Sequence, residues 1–235
     1  PNTSSAAGIS VQYSGSDIVI DGCEVIDSMR NSISVGPLSN VTVSNNLISG
    51  GGLYGIQFWH NNPTPQVNII IANNTITNLG IDSQVVGAAI RTTGYSNVKI
   101  YGNTITNVVG NGISVDAGYI PDGSAVSDFD IYGNTIDTAC VLTGQCDGIQ
   151  TGGSGSTLKY VLNAKIHDNV VKNVKLPSEW DGMCIDLDYG SNGAKAYRNY
   201  MYNCQGGGIM VLNSDNTEVY YNIMDHCGHN ATTDK

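Results

Sequence analysis

The segments IYGNTIT (100–106) and IYGNTID (131–137) write almost the same phrase twice, 31 positions apart. They belong to a series of eight phrases: VIDGCEV (19–25), VSNNLIS (43–49), IANNTIT (71–77), IYGNTIT, IYGNTID, IHDNVVK (166–172), AYRNYMY (196–202) and VYYNIMD (219–225). One position common to the phrases is Cys23, Asn46, Asn74, Asn103, Asn134, Asn169, Asn199 and Asn222. Seven of these eight residues are Asn, so the phrase marks a ladder of equivalent positions.

A second phrase runs in step with the first. It reads GISV (8–11), SISV (32–35), GIQF (55–58), AIRT (89–92), GISV (112–115), GIQT (148–151), CIDL (184–187) and GIMV (208–211). Apolar and polar residues alternate in it, which is typical of a half-buried strand. The ladder positions are 23 to 35 residues apart, so constant strands are joined by loops of variable length. Repeats of this kind predict a solenoid.

The repeating unit excludes a helical solenoid, because its apolar spacing is two and it is filled with β-branched residues, Asn and Gly. We therefore predict an all-β fold, a right-handed parallel β-helix of about eight coils that forms one domain over residues 1–235. Each coil should rise by about 4.8 Å. The backbone of each Asn should take the left-handed turn conformation. Its side-chain amide should hydrogen-bond to the Asn residues of the coils above and below.

These phrases resemble those of the pectin-lyase-like superfamily of right-handed parallel β-helix proteins, over essentially the whole chain. The superfamily includes polysaccharide lyases, glycoside hydrolases, epimerases, phage tailspikes and adhesins, so the resemblance implies a fold and not one activity. The Gly-His-Gly and Arg-Ile-Lys segments of polygalacturonases and the Arg-x-x-Pro-x-x-Arg segment of the main pectate lyases are not found. The resemblance implies a polysaccharide as partner and an extracellular or cell-surface location.

The net charge and the hydropathy of the chain exclude some classes of binding partner. Ten Lys and Arg against twenty Asp and Glu give a net charge of −10, which would repel a nucleic acid backbone. No apolar run approaches the roughly 20 residues of a membrane span. Neither end of the chain has an amphipathic capping helix, and open strand edges are usually covered. We therefore expect an adjoining domain, a longer chain or a second subunit at the ends of the β-helix.

Residues that do not point into the core should stack in columns on the surface, with one residue from each coil. The first column is Ser10, Ser34, Gln57, Arg91, Ser114, Gln150, Asp186 and Met210, and the second is Gln12, Gly36, Trp59, Thr93, Asp116, Gly152, Asp188 and Leu212. Chemistry-bearing residues concentrate in the middle coils of this face. An alternative register, shifted by two at Met183, would stack Asp181 on Asp147 and place Asp186 in the column of Asp116.

Two carboxylates on one face suit general acid and base chemistry on a glycan. In either register an Asp lies two coils from Asp116, about 9–10 Å away, close to the spacing of inverting glycosidase carboxyls. We predict Asp116 with Asp186 or Asp188 as the catalytic pair. The predicted substrate contacts are Trp59 as a stacking platform, Arg91 for an acidic group, and Gln150, Tyr189, Asp147 and Asp181. The same carboxylates could bind Ca²⁺, and no other metal is expected.

The Asp-rich face favours a glycoside hydrolase over a polysaccharide lyase, because only Arg91 and Tyr189 on it could serve as the base of a uronate lyase. The alternative, from another class, is a non-catalytic segment of a surface protein, adhesin or phage fibre that binds glycan or serves as an assembly surface.

Six cysteines permit disulfides. Cys140 and Cys146 flank a five-residue loop and could close it. Cys204 and Cys227 both follow their ladder Asn by five residues, which places them on adjacent coils about 5 Å apart, within disulfide range. They form either a bridge or two small buried apolar side chains. Cys23 and Cys184 have no predicted partner.

Overall fold

The computed structural model describes residues 7–12, 15–60, 63–80, 87–118, 120–141, 146–152, 159–175 and 181–228. The first four coils contain β1 (Ala7–Val11), β2 (Ser16–Asp21), β3 (Glu24–Ile26), β4 (Asn31–Val35), β5 (Ser39–Ser44), β6 (Leu47–Ser49), β7 (Tyr54–Trp59), β8 (Gln66–Ala72), β9 (Thr75–Leu79), β10 (Ala88–Thr93), β11 (Tyr95–Tyr101) and β12 (Thr104–Val108). The next four contain β13 (Asn111–Asp116), β14 (Ala125–Ser127), β15 (Phe129–Tyr132), β16 (Thr135–Asp137), β17 (Ile149–Gly152), β18 (Tyr160–Leu162), β19 (Lys165–His167), β20 (Val170–Lys172), β21 (Met183–Leu187), β22 (Lys195–Tyr197), β23 (Tyr200–Tyr202), β24 (Gly207–Val211), β25 (Glu218–Tyr220) and β26 (Ile223–Asp225).

The strands form three parallel sheets of eight strands, and each coil adds one strand to each sheet. Sheet 1 has the order β1-β4-β7-β10-β13-β17-β21-β24, sheet 2 the order β2-β5-β8-β11-β15-β19-β22-β25, and sheet 3 the order β3-β6-β9-β12-β16-β20-β23-β26. The short strands β14 and β18 pair with each other outside these sheets. This confirms the predicted all-β parallel β-helix of eight coils. Across the described ranges, no helix has the length and apolarity to cross a membrane.

Stacked aliphatic side chains fill the space between the sheets. In sheet 1 the central Ile of the repeat pairs with the same Ile of the next coil, as in Ile56 with Ile90 and Ile90 with Ile113. All three side chains are fully buried. Each such Ile stabilises the fold by about 1.5–3 kcal/mol relative to exposure. The core thus repeats from coil to coil and fixes the register of the outer face.

The predicted Asn ladder runs from Asn46 to Asn222. At Asn134, which is 1% exposed, the backbone N–H and the Nδ2–H both donate to Asn169 Oδ1 at 3.0 Å, and Nδ2 also donates to the Ile100 carbonyl at 2.9 Å. The expectation that these Asn residues take the left-handed conformation is wrong. The residue before each one takes it, for example Gly133 with φ 61°. The turn and the amide ladder therefore belong to neighbouring positions.

The disulfides agree with one expectation and correct the other. Cys140 and Cys146 are bonded, with Cα atoms 5.7 Å apart, as the short loop predicts. Cys204 is bonded to Cys184 and not to Cys227, with Cα atoms 5.6 Å apart. Cys23 and Cys227 are free and half-buried. The predicted Cys204–Cys227 bridge is wrong. The Cys184 side chain also points into the core, where it is bonded to Cys204.

We expect peptide mapping of the denatured, unreduced protein after alkylation to find label on Cys23 and Cys227 only, and Cys184 linked to Cys204. The 20-residue separation of that bridge corresponds to about 3 kcal/mol of stabilisation by restriction of the unfolded chain. Cys184→Ser should therefore lower the free energy of unfolding by about that amount, whereas Cys23→Ser is the control that changes it little. A Cys204–Cys227 peptide would contradict this pairing.

The two end coils expose large apolar side chains. Val19, Ile26 and Met29 are 68%, 58% and 87% exposed near one end, and Ile223 and Met224 are 61% and 53% exposed near the other. An adjoining domain or subunit at these ends stays a prediction.

Candidate active site

The outer face of sheet 1 carries the predicted columns. Its first column is continuous through the paired residues Gln57–Arg91, Arg91–Ser114, Ser114–Gln150 and Gln150–Asp186. Its second column pairs Trp59 with Thr93, Thr93 with Asp116, and Asp116 with Gly152. Since Ile149 pairs with Ile185, the alternative register at Met183 is wrong, and Asp186 does not share the column of Asp116.

Strict alternation of inward and outward residues along each strand does not predict a third column on this face. In β21 two consecutive side chains point inward, those of Cys184 and Ile185, and both are fully buried. In the neighbouring coil Gly148 takes the first of these positions, where a Cβ would lie 2.4 Å from Val171 Cγ1, so that only glycine fits without a shift. The residue before it, Asp147, consequently lies on the outer face. The glycine that precedes the central Ile is the sequence signal for this break in the alternation.

Asp147 and Asp186 form a buried carboxyl pair in the middle of the face. They are 0% and 1% exposed, and their charges interact. Asp147 Oδ1 accepts the Met183 N–H at 2.8 Å, and Gln150 is the neighbour of Asp186 in the first column. Among the described residues, Asp147 Oδ2 and Asp186 Oδ1 are buried without a hydrogen-bond partner, which is costly for a charged carboxylate.

Burial is the main cause that raises the pKa of both groups, Asp147 to about 7 and Asp186 to about 9. The negative charges of Asp181 and Asp188 raise both pKa values further, and the charge of Asp147 also raises that of Asp186. The two carboxyls therefore bind a proton as a pair at a pH where an exposed aspartate is ionised.

Asp181 and Asp188 flank the strand that carries Asp186, and both are half-buried. Burial and then the charge of Asp188 raise the pKa of Asp181. Asp188 lies against Gly152, whose missing side chain leaves space beside it, and its Oδ1 accepts the Tyr189 N–H at 2.8 Å. Together with Asp147 and Asp186 these residues form what we call the aspartate cluster. Its two half-buried members are the ones that a ligand can reach.

The predicted catalytic Asp116 belongs to a different group. Its Oδ2 accepts Arg91 Nε at 3.0 Å and Thr93 Oγ1 at 3.0 Å. Arg91 Nη1 donates to Tyr54 Oη at 2.6 Å, and the guanidinium lies 5.6 Å from the centre of the Tyr54 ring. Asp116 is therefore a fixed partner of Arg91, two strands from Asp188 with Gly152 between them.

Trp59 and Tyr189 present aromatic surface at two points of the face, 39% and 38% exposed. Trp59 borders a cavity of about 270 Å³ that we call the arginine pocket, lined by Arg30, Asn31, Leu53, Tyr54, Gln57, Trp59, Arg91 and Thr93. Arg30 escaped sequence analysis because it precedes its strand and belongs to none of the predicted columns.

The aspartate cluster does not have the form of a Ca²⁺ cage. Among the described residues, the one set of three or more His, Cys, Asp or Glu ligand atoms within 4.8 Å of one another is Cys184, Cys204 and Cys227. Calcium prefers six to eight oxygen ligands around one centre. The described carboxylates on this face do not converge in that way.

The buried pair predicts a pH dependence of stability. The pKa values of Asp147 and Asp186 are higher in the folded protein than the ordinary 3.8, so between about pH 4 and the neutral range the folded state binds more protons than the unfolded state. This contribution is fully present at low pH, and the free energy of unfolding falls by about 1.4 kcal/mol per pH unit for each extra proton that the folded state binds as pH rises through the window.

We expect Asp186→Asn to flatten this slope in urea unfolding measured between about pH 5 and pH 8. Asp122→Asn, which removes a carboxylate that is 67% exposed, is the matched control and should keep the parent's slope. Parallel curves for Asp186→Asn and the parent would mean that the pair is ionised in the folded protein.

Residues 7–196 match the family described as right handed beta helix region. The chain belongs to the right-handed β-helix family. The match covers the first six coils of this right-handed β-helix and most of the seventh. No curated protein sequence matches it significantly.

One solved structure with a similar fold is the GH136 lacto-N-biosidase from Eubacterium ramulus, as its selenomethionine derivative. The TM-score is 0.54 at 13% sequence identity. The alignment covers 82% of the right-handed β-helix described here and 42% of the lacto-N-biosidase chain. This similarity supports the fold, and the right-handed β-helix spans less than half of that enzyme.

Proposed function

We propose that this β-helix hydrolyses glycosidic bonds, with the outer face of sheet 1 as the substrate groove. The observation that carries the proposal is the aspartate cluster, in which raised pKa values and negative charge occur side by side. Glycoside hydrolases need a carboxylic acid that keeps its proton and a carboxylate that has lost it, on the two sides of the scissile bond. A β-helix similar in fold is a lacto-N-biosidase, which supports a carbohydrate substrate.

We assign the reacting groups by exposure. Asp181, half-buried and with a raised pKa, is the proton donor to the leaving oxygen. Asp188, also half-buried, is the carboxylate that acts at the sugar carbon or on a water molecule. Asp147 and Asp186 lie beneath them and are too deeply buried to contact a sugar. The raised pKa of Asp181 comes from its own burial and from the charge of Asp188.

This assignment retains Asp188 from the sequence prediction and changes the roles of its partners. Asp186 becomes a positioning residue because it is 1% exposed, and Asp116 becomes one because it is ion-paired with Arg91. Gln150 lies next to Asp186 on the neighbouring strand, while Trp59 and Tyr189 provide surfaces on which sugar rings can stack.

Hydrolysis is favoured over elimination by the distribution of charge. A uronate lyase needs a base such as Lys, Arg or Tyr at the reacting carbon. Arg91 lies three coils from Asp188 and already donates to Asp116 and Tyr54. Of the two base candidates that the sequence analysis named, Tyr189 is the one beside the aspartate cluster, and four nearby carboxyls would oppose formation of a carbanion there.

We place this activity outside the cell or at its surface, acting on a polysaccharide or oligosaccharide. Two disulfides suit an oxidising compartment, where such bonds form and persist. The net charge of −10 disfavours nucleic acid as an alternative polymer.

Incubation of the protein with a panel of polysaccharides and oligosaccharides tests the proposal. We expect new reducing ends without the ultraviolet absorbance of a new carbon–carbon double bond. Absorbance would instead indicate a lyase, and glycan binding without new ends would indicate a non-catalytic module. That second function is favoured by one observation, the arginine pocket, which can hold a sugar whether or not a bond is cleaved.

A further inference from the structure

We propose that the arginine pocket is a binding subsite for an anionic sugar residue, a sugar that carries a carboxylate or a sulfate group. The pocket lies on coils two to four, about three interstrand steps or roughly 14 Å from Asp188. That the same glycan continues into the aspartate cluster rests on the proposed function, whereas binding in the pocket does not.

The charge of the pocket carries the first step of the argument. The chain has ten basic residues against twenty acidic ones, yet Arg30 and Arg91 both line this one cavity. Asp116 neutralises part of the charge of Arg91, and Arg30 has no ion pair with the residues that the structure describes. The pocket is therefore a cationic point on an acidic protein, which attracts an anionic group.

The geometry of Arg91 carries the second step. A guanidinium has five N–H donors, and the contacts of the described residues use two of them, one to Asp116 and one to Tyr54. Three donors are left (5 − 2 = 3). The ion pair, the Tyr54 hydroxyl and the stacked ring hold the side chain in place, so a ligand meets a preorganised group. Guanidinium donors match the paired oxygens of a carboxylate or sulfate.

The remaining walls suit the body of a sugar. Asn31 Nδ2 donates to Gln57 Oε1 at 2.8 Å, which leaves the Gln57 Nε2 donors for sugar hydroxyls. The Trp59 ring is 39% exposed at the edge of the cavity, and an aromatic face packs against the C–H groups of a pyranose. The volume of about 270 Å³ is near the lower end of small-molecule sites and suits a single ring.

A glycan array probed with the Asp188→Asn protein tests this inference, since that variant should bind glycans and leave them uncut. Matched probes are lactose, 3′-sialyllactose and lactose 3′-sulfate, together with trigalacturonate and its methyl ester. We expect binding to the charged members of each set and at least about tenfold weaker binding to the neutral members. The sialylated and sulfated arms tell a carboxylate from a sulfate ligand.

Two variants locate the site. Arg30→Gln should lower binding of the charged probes by about tenfold or more, and Trp59→Ala should lower binding of every probe. Lys165→Gln removes the same charge from sheet 2 and is the matched control, with binding unchanged. Equal binding of charged and neutral probes, no binding at all, or a loss with Lys165→Gln but not with Arg30→Gln would overturn the inference.

The glycan array tests the subsite and the hydrolysis assay tests the activity, so the two proposals can be rejected independently. If no glycan is cleaved but Arg30→Gln abolishes charge-dependent binding, the subsite stands and the proposed hydrolysis fails. If glycans are cleaved but the array shows no preference for charge, the hydrolysis stands and the subsite fails.

Discussion

Replacing Asp188 with asparagine is expected to lower kcat/KM for the best glycan substrate by about 10²- to 10⁴-fold, the range for a lost acid or base group. The variant removes a charge and keeps the shape of the side chain, so Gly152 and the Tyr189 N–H keep a neighbour of the same size. Glu24→Gln, an exposed change on sheet 3, is the control and should retain full activity. Full activity of Asp188→Asn would refute its assigned role.

Asp181→Asn should produce a similar loss on natural glycans but a different dependence on the leaving group. A proton donor is not needed when the leaving group is already acidic, as in an aryl glycoside. Asp181→Asn should therefore approach parent rates on such substrates, whereas Asp188→Asn should not. Asparagine also tolerates the left-handed backbone of Asp181, φ 70°, so a loss reports on chemistry and not on strain. Identical leaving-group profiles for the two variants would contradict the division of roles.

Replacing Asn134 with alanine should lower the free energy of unfolding by about 2–5 kcal/mol, because buried polar groups lose their partners. The change removes the acceptor of the Asn103 N–H and the donor to the Ile100 carbonyl, both in the interior of the β-helix. Equilibrium unfolding in urea measures the loss.

Asn222→Ala is the matched control for the ladder. Asn222 accepts the same pair of donors from Asn199, but it is half-buried, so water can replace part of what is lost. We expect its effect to be clearly smaller than that of Asn134→Ala. Equal losses at the two positions would mean that burial does not decide the strength of a rung.

The sequence predicted the register of most of the face because the Asn ladder and the central Ile repeat together, as in the stacking of Asn134 on Asn103. At Met183 it left two registers open, and the pairing of Ile149 with Ile185 decides between them. The alignment of a solenoid thus reports three-dimensional neighbours that are tens of residues apart in the chain.

What could not be predicted depends on one local departure from alternation. Two consecutive inward residues in β21 turn Cys184 toward Cys204, and the equivalent inward position of Gly148 leaves Asp147 on the outer face near Asp186. A period of two assigns the opposite direction to every residue before this break in the alternation. The protonation of the cluster was equally hidden, since a carboxyl's pKa depends on burial that no sequence pattern measures.

The most direct test of the account is a crystal structure of the Asp188→Asn protein soaked with an uncut oligosaccharide that the parent cleaves. We expect the glycan along the outer face of sheet 1, with the oxygen of the scissile linkage in hydrogen-bond contact with Asp181 and the sugar carbon next to residue 188. A glycan bound only to sheet 2 or sheet 3, or one that crosses sheet 1 without reaching Asp181, would contradict the proposed active site.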